Sequence, residues 1–299
     1  MSLLINYNQC RPVHENYGRK EEIYLQYPAD APRYFLKCYT GSDPQIRLWY
    51  EEEQKRMLCV TEAMNGRASY FPRYYKAELI CSPCDGCPLI CTDFLSGPTL
   101  SEFYSELISR RYGSNFDASR EAIRYLDRQT VTHICTQVFQ MLRILSLFGI
   151  WYLDLNPGNL IILNRDFDLA LIDHTFCLYT PVDLRLDAGL IRRSCIRSSI
   201  PAYTDDPFTP ENHLTEAYAV FAASLFFGGK PEKLPAYYRN KLFWLFESDC
   251  GLPAHAAGPL LQKLLSVYPT AGTQSSDLKQ FFHCYPSLEQ FYRDLIQVL

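Results

Sequence analysis

Between Trp151 and Leu160 the chain reads Trp-Tyr-Leu-Asp-Leu-Asn-Pro-Gly-Asn-Leu, which sets Asp154 five residues ahead of Asn159. A long helical pattern precedes this segment and a short strand-turn-strand pattern follows it, so its polar side chains belong to an ordered loop. The second of those strands ends in Asp173, within Leu171-Ile172-Asp173-His174-Thr175. An Asp/Asn pair facing a further carboxylate is a set of hard oxygen donors. It suits Mg²⁺ held together with phosphates, because that ion takes one or two carboxylates plus substrate oxygens in preference to an all-protein cage. Lys37 supplies the cation that such phosphates need.

A second cluster has metal-ligand spacing. Cys81, Cys84, Cys87 and Cys91 follow C-x2-C-x2-C-x3-C, a pattern that iron-sulfur ligands use. If the runs Lys76 to Cys81 and Pro88 to Leu95 pair as strands, Cys91 sits several residues up its strand at about 3.3 Å each, too far for four sulfurs to meet one cluster. The cysteines therefore read as thiols in and beside a hairpin turn, with a smaller zinc site at Cys81, Cys84 and Cys87 as the weaker rival.

The elements that must position these residues fall into two halves. Glu22 to Tyr27 and Arg33 to Tyr39 are β-rich runs split by Pro28-Ala29-Asp30-Ala31-Pro32, a hairpin that carries Lys37. Between Pro44 and Val60 the residues Ile46, Trp49, Tyr50, Met57 and Val60 recur at helical spacing, with Glu53 on the same face. The runs Lys76 to Cys81 and Pro88 to Leu95 read as a further hairpin, which predicts an antiparallel sheet. From Thr99 the pattern turns helical: Ser101 to Arg111, Thr130 to Phe148, Thr215 to Phe227, Leu234 to Glu247, Gly258 to Val267 and Ser287 to Val298. Asn159 to Ile172 interrupts it with a short hairpin. Ser96-Gly97-Pro98 reads as the hinge between the halves.

Taken in order, these residues resemble the protein-kinase-like superfamily, whose signature is a strand lysine, a helix glutamate, an Asp-x4-Asn loop and an Asp-Phe-Gly metal motif. The resemblance runs over nearly the whole chain. Phe35-Leu36-Lys37 is similar to the Ala-x-Lys strand, and Asp173-His174-Thr175 stands where Asp-Phe-Gly would. Thr92-Asp93-Phe94-Leu95 is similar to the gatekeeper and the adenine-binding hinge, with Thr92 as gatekeeper. Ile200 to Thr204 resembles the end of an activation segment, and Thr215 to Val220 the helix after it, with Glu216 in place of the usual Asp.

The resemblance implies an α+β bilobal fold, with residues 1–97 as a small β-rich lobe carrying one helix and 98–299 as a larger, mainly α lobe. It implies ATP and Mg²⁺ as cofactors, bound in the cleft. Lys37 would contact the phosphates, Glu53 would orient Lys37 with Glu52 as second choice, and Asp154 would take or orient the acceptor hydroxyl. Asn159 and Asp173 would ligate the metal. Asp93 and Leu95 would meet the base through their backbone, and Gly18 would let the chain approach the phosphates. The implied activity is phosphotransfer to Ser, Thr or Tyr hydroxyls of a protein substrate. Rival readings on the same fold are a small-molecule kinase, a nucleotidyl (AMP) transferase, or a pseudokinase scaffold.

The departures from the family pattern are specific. Gly-x-Gly-x-x-Gly is absent, and Asn16 to Lys20 offers one glycine. Tyr152-Leu153 replaces His-Arg, which removes the arginine that would bind an activation-loop phosphate. Asn156 stands where serine/threonine kinases carry lysine, and Asp205-Asp206-Pro207 lies near the place of Ala-Pro-Glu. Singly, Lys37 reads as a solvated strand residue and Glu53 as part of the exposed acidic run Glu51 to Glu53; their weight comes from the set. His174 reads as structural, because Asp154 already serves as the base. Arg192, Arg193 and Arg197 read as a solvated basic stretch, with docking of an acidic substrate or partner as the weaker rival.

Composition narrows the classes further. The chain has 299 residues, 47% hydrophobic and 21% charged, which excludes wholesale disorder and disulfide-stapled miniproteins. A net charge of -4 provides no global field to recruit nucleic acid or anionic lipid. The run Ala217 to Phe227, interrupted by Ser224, is too short to cross a bilayer core of about 30 Å, so no membrane span is expected. Met1 to Tyr7 lacks a basic flank and a long apolar stretch, which argues against a secretory signal. Twelve cysteines without an export signal predict reduced thiols in a cytoplasmic protein. Compact, divergent kinases of this type occur among bacterial effectors and viruses, so delivery into a host cytosol belongs to the same expectation.

Overall fold

The computed structural model of the chain describes residues 2–13, 21–64, 70–81, 86–112, 126–152, 154–175, 177–179 and 287–299, with 211, 214–215, 217–218, 221–222 and 225 on helix. Strands β1 (Leu3–Asn6), β2 (Arg11–Pro12), β3 (Glu22–Tyr27) and β4 (Tyr34–Tyr39) precede helix α1 (Pro44–Met64), and β5 (Ala77–Ile80) and β6 (Leu89–Asp93) follow it. The chain continues through α2 (Leu100–Tyr112), α3 (Arg128–Leu147), β7 (Ile150–Tyr152), β8 (Leu160–Ile162), β9 (Leu169–Leu171), β10 (Cys177–Tyr179) and α4 (Leu288–Val298). The expected helices over 234–247 and 258–267, the segments 16–20, 192–199 and 200–207, and most of the helix after Thr215 lie outside the described residues. Among the described residues no helix is long and apolar enough to cross a membrane.

Strand β4 is interior to a four-stranded sheet ordered β2-β3-β4-β6, which is why it carries large side chains on both faces. Leu36 points to an outer cluster with Ile5, Leu25 and Cys91. Lys37, one residue on, must point to the opposite face, and Tyr39 on that face packs with Trp49, Tyr50 and Met57 of α1. Pairing of β3 with β4 is antiparallel and sets Tyr24 opposite Lys37 and Glu22 opposite Tyr39. In α1, Pro44 occupies the first turn, where its missing N–H costs nothing, and Tyr50, Glu53, Met57 and Val60 form one buried face.

The runs before and after the cysteine turn are not a hairpin, which corrects the sequence expectation. β6 pairs antiparallel with β4, whereas β5 lies parallel to β1, with Leu3 opposite Ala77 and Ile5 opposite Leu79. The segment just before β5 touches β6 through a bridge between Tyr74 and Thr92 and a 2.9 Å bond from Tyr75 N to the Cys91 carbonyl. Beyond it the chain leaves β6, and the β1–β5 pair covers the outer face of the sheet and buries Leu25, Leu36 and Cys91. Cys91 is thus fully buried inside the sheet, while Cys81 is exposed at a turn with φ 59°. Among the described residues no three His, Cys, Asp or Glu side chains gather as a metal cage; Cys84 lies outside them.

Two glycines and two caps set the second half. Ile162 N donates to the Pro98 carbonyl at 2.9 Å, and a Cβ on Gly97 would stand 1.9 Å from the Ile162 carbonyl oxygen. Gly97 is therefore required for a close approach of two backbones. Gly97→Ala should lower stability by about 1–3 kcal/mol, read from urea denaturation, because backbone rather than a pliant side chain must move. Thr99 then starts α2 with a reciprocal capping box: Glu102 N donates to Thr99 Oγ1 at 3.1 Å and Thr99 N to Glu102 Oε2 at 2.8 Å.

Helix α3 buries Val131, Ile134, Cys135, Val138, Met141, Leu142 and Leu145, a stripe of helical period, and α4 stacks Tyr292 on Phe139 with centroids 3.9 Å apart. Asp127 caps α3, accepting from Thr130 N and Thr130 Oγ1 at 2.8 Å each. Those bonds hold the Asp127 carboxyl below its usual range. Asp127→Ala should cost about 1 kcal/mol near neutral pH. The difference from the native chain should shrink as pH falls through that depressed range, because the protonated native cap no longer accepts as well. Gly149, at φ 68°, ends α3 by accepting the left-handed turn, and β7 leaves directly toward Asp154.

Candidate functional site

Lys37 is 4% exposed, and its ammonium makes two hydrogen bonds. Nζ lies 2.8 Å from Asp173 Oδ1, 2.7 Å from Thr175 Oγ1 and 4.0 Å from Glu22 Oε1. The Tyr50 and Tyr24 rings flank it, with centroids at 5.4 and 5.8 Å. Burial alone would lower its pKa; Asp173, followed by Tyr24, Glu53 and Glu22, reverses that and holds it above the usual lysine value. For Asp173 burial pushes upward, and the charge and hydrogen bond of Lys37, with a smaller contribution from Thr175, carry it below the ordinary carboxylate range. Lys37 is a cation and Asp173 an anion at neutral pH.

Glu53, not Glu52, is the acid on the inner face of α1. Glu52 reaches Lys55 and Arg56 on the helix surface at 3.2 and 3.3 Å, whereas Glu53 is 1% exposed. Glu53 does not meet Lys37 directly. Thr175 stands between them, 2.6 Å from Glu53 Oε2, and Tyr74 donates to Glu53 Oε1 at 2.7 Å. Burial raises Glu53 to about 7, with Lys37 pulling the other way.

His174 is fully buried, ringed by Phe71, Tyr74 and Tyr152, with Nδ1 3.0 Å from the Tyr74 hydroxyl. When Glu53 is ionised the Tyr74 hydroxyl donates to it, and Nδ1 then carries the hydrogen that Tyr74 accepts. Its Nε2 has no partner, and burial holds the ring at about 3, so it is neutral.

The Asp154 loop is tied to itself and to the segment between β9 and Asp173. Asn159 Nδ2 donates to the Asp154 carbonyl at 2.9 Å and to Asp154 Oδ2 at 3.3 Å, and Asn156 Nδ2 reaches the same carbonyl at 3.0 Å. Asn156 also caps the Pro157–Asn159 turn by accepting from Gly158 N at 2.9 Å. Ile172 N donates to the Asn159 carbonyl at 2.9 Å, and Tyr152 Oη to the Ile172 carbonyl at 2.7 Å. Ile172 is thus clamped from both ends of the loop. The next residue, Asp173, takes a left-handed φ of 57°, which costs an aspartate of order 1 kcal/mol and turns its side chain to Lys37.

These donors fit a magnesium ion carried with phosphates. The Asp173 side chain is 30% exposed, and the Asn159 amide nitrogen is spent on Asp154, which makes the amide oxygen the atom left for a cation. At the other end, Thr92 is buried and its hydroxyl donates to the Asp93 carbonyl at 3.2 Å. Asp93 N is committed to the Arg73 carbonyl at 3.0 Å, and its carboxylate to the Tyr75 hydroxyl at 2.7 Å and to Arg73. Leu95 makes no hydrogen bond among the described residues. The hinge expectation therefore narrows to the Asp93 carbonyl and the Leu95 backbone. Gly18 lies outside the described residues.

Sequence reading missed Thr175, Tyr74, Tyr24, Tyr50 and Glu22. Glu22 accepts from Tyr24 Oη at 2.7 Å and Tyr50 Oη at 2.9 Å, which gives Lys37 a third carboxylate neighbour. The alternation of β3, which puts Glu22 and Tyr24 on the Lys37 face, is the signal that could have found it.

No protein-family model matches the chain, and no curated protein matches its sequence. Its fold is that of a protein kinase, bilobal and α+β. A crystal structure of a double mutant of the Mycobacterium tuberculosis PknI kinase domain superimposes over 98% of this chain and 97% of that chain, with a TM-score of 0.53 and 17% identity. A structure of a single mutant of the same domain gives the same score and identity over 97% and 95%.

Proposed function

We propose that the chain is an ATP- and Mg²⁺-dependent phosphotransferase that phosphorylates Ser, Thr or Tyr hydroxyls of a protein substrate. The nucleotide lies between a lobe of residues 1–97 and a lobe of residues 98–299. The observation that carries the reading is the 2.8 Å contact of Lys37 with Asp173, an ammonium and a carboxylate 136 positions apart. In this reading Lys37 holds the phosphates, Asn159 and Asp173 hold the metal, and Asp154 orients the acceptor hydroxyl. The Asp93 carbonyl and the Leu95 backbone meet the base, and Gly18 belongs to the cover of the phosphates. The bound ion supplies charge neutralisation of the transferring phosphoryl group. The chain's part is placement: four polar side chains fixed by hydrogen bonds before the reactants arrive.

Cys10, Cys59, Cys81, Cys91, Cys135 and Cys177 are in no disulfide, which supports a reducing, cytosolic setting. The test is a thermal shift with millimolar Mg-ATP, followed by mass spectrometry of a protein acceptor. Stabilisation and a phosphoryl increment are expected. An adenylyl increment would assign nucleotidyl transfer; no stabilisation would overturn the nucleotide site altogether.

A further inference from the structure

Lys37 and Glu53 are joined by a hydroxyl, and that hydroxyl has one proton. Thr175 Oγ1 sits 2.7 Å from Lys37 Nζ and 2.6 Å from Glu53 Oε2, and Thr175 is 0% exposed. An ammonium can only donate, so Thr175 accepts from Lys37, and its hydroxyl donates to Glu53. The far oxygen of Glu53 accepts from the Tyr74 hydroxyl, which leaves Tyr74 to accept from His174 Nδ1. With Glu53 ionised, every hydrogen in the row Lys37, Thr175, Glu53, Tyr74, His174 therefore runs toward Glu53 from both sides. Its two ends, Lys37 on β4 and His174 after β9, are far apart in sequence, and α1 supplies the acceptor between them.

From this we infer that Thr175 is the positioning residue for Lys37: its hydroxyl does what direct contact between Lys37 and Glu53 would otherwise do, and locks α1, β4 and the segment after Asp173 into one arrangement. The inference rests on the phosphotransferase reading for its kinetic consequence, though not for its structural one. A serine keeps the hydroxyl. A valine keeps the shape and leaves a buried ammonium and a buried carboxylate each short of one partner. Glu53 tolerates no substitute that cannot accept from both neighbours, and Thr175 none that cannot pass a hydrogen on.

Two measurements on the native chain, Thr175→Val and Thr175→Ser test it. The first is trace acetylation of the nucleotide-free proteins with acetic anhydride, read at Lys37 by peptide mass spectrometry. Labelling of Lys37 should rise in Thr175→Val, where the ammonium has lost a hydrogen-bond acceptor, and stay at the native level in Thr175→Ser. The second is ATP turnover. Thr175→Val should lower kcat/KM by about 10²-fold, as expected for a misplaced phosphate-binding group, and Thr175→Ser should recover most of it. Native labelling and native turnover in Thr175→Val would overturn the inference, as would failure of the serine to restore either. Should Thr175→Val show no cooperative melt, Thr175→Ala is measured instead against the same outcomes. If the native chain turns over no ATP, the phosphotransferase reading fails, and the labelling comparison alone decides the role of Thr175.

Discussion

Asp173→Asn should reduce phosphoryl transfer by at least about 10²–10³-fold while the nucleotide-free protein still shows a single cooperative melt. The substitution removes one negative charge and nothing of the shape. Asp173 occupies a left-handed φ of 57°, a conformation that asparagine adopts as readily as aspartate, so no new backbone strain enters. An alanine there would add that strain and confuse the result. Lys37 keeps Thr175, and the new amide oxygen can still accept from it, so the row of buried hydrogen bonds survives. What is lost is the carboxylate, the stronger of the two hard donors proposed for the metal. Stabilisation by Mg-ATP should fall with activity, and a variant that retains turnover within tenfold would remove Asp173 from the metal site.

Much of this site is legible in the amino-acid sequence, for reasons that differ by residue. Asp154, Asn159 and Asp173 stand out because they sit at fixed intervals on one loop and one short hairpin, where local structure alone brings them together. Lys37 is legible only by its place in the series, and Glu53 because the face of α1 shared by Tyr50, Met57 and Val60 repeats at helical spacing. Thr175 and Tyr74 are not legible. Each carries no charge and belongs to no periodic pattern, and their partners lie 122 and 21 residues away on Glu53. Among 22 tyrosines, nothing in the letters marks Tyr74 as the one that donates to the buried acid. The hairpin expectation for β5 and β6 fails for a related reason: β1 has four residues, too few to announce a pairing, yet its parallel contact with β5 decides where the run after Tyr75 goes. Long-range partners with weak local signals are settled by what the whole fold must cover.

Lys37→Met carries the largest expected effect on stability, and its size should depend on pH. Methionine fills the volume between the Tyr24 and Tyr50 rings but leaves Asp173, Glu53 and Glu22 around a missing cation. Removing one partner from a buried charge cluster costs on the order of 3–5 kcal/mol. The sign with pH follows from Glu53. Its carboxyl, ordinarily near 4.5, stands at about 7 in the folded chain, mainly through burial, with Lys37 holding it down from a higher value. Between those values the folded state holds a proton that the unfolded state has released, so native stability falls as pH rises through the window. Without Lys37 the folded value climbs further, and the fall continues above pH 7 instead of levelling off. His174, held at about 3 by burial, acts in the opposite sense below 6.5, because the unfolded chain takes up a proton there first. That contribution is largely common to both proteins, so subtracting their urea-derived stabilities removes most of it. The difference between native and Lys37→Met should therefore be larger at pH 8 than at pH 5. A difference that stays flat across that range would mean that Glu53 does not depend on Lys37 for its charge, and that the two belong to separate networks despite the threonine between them.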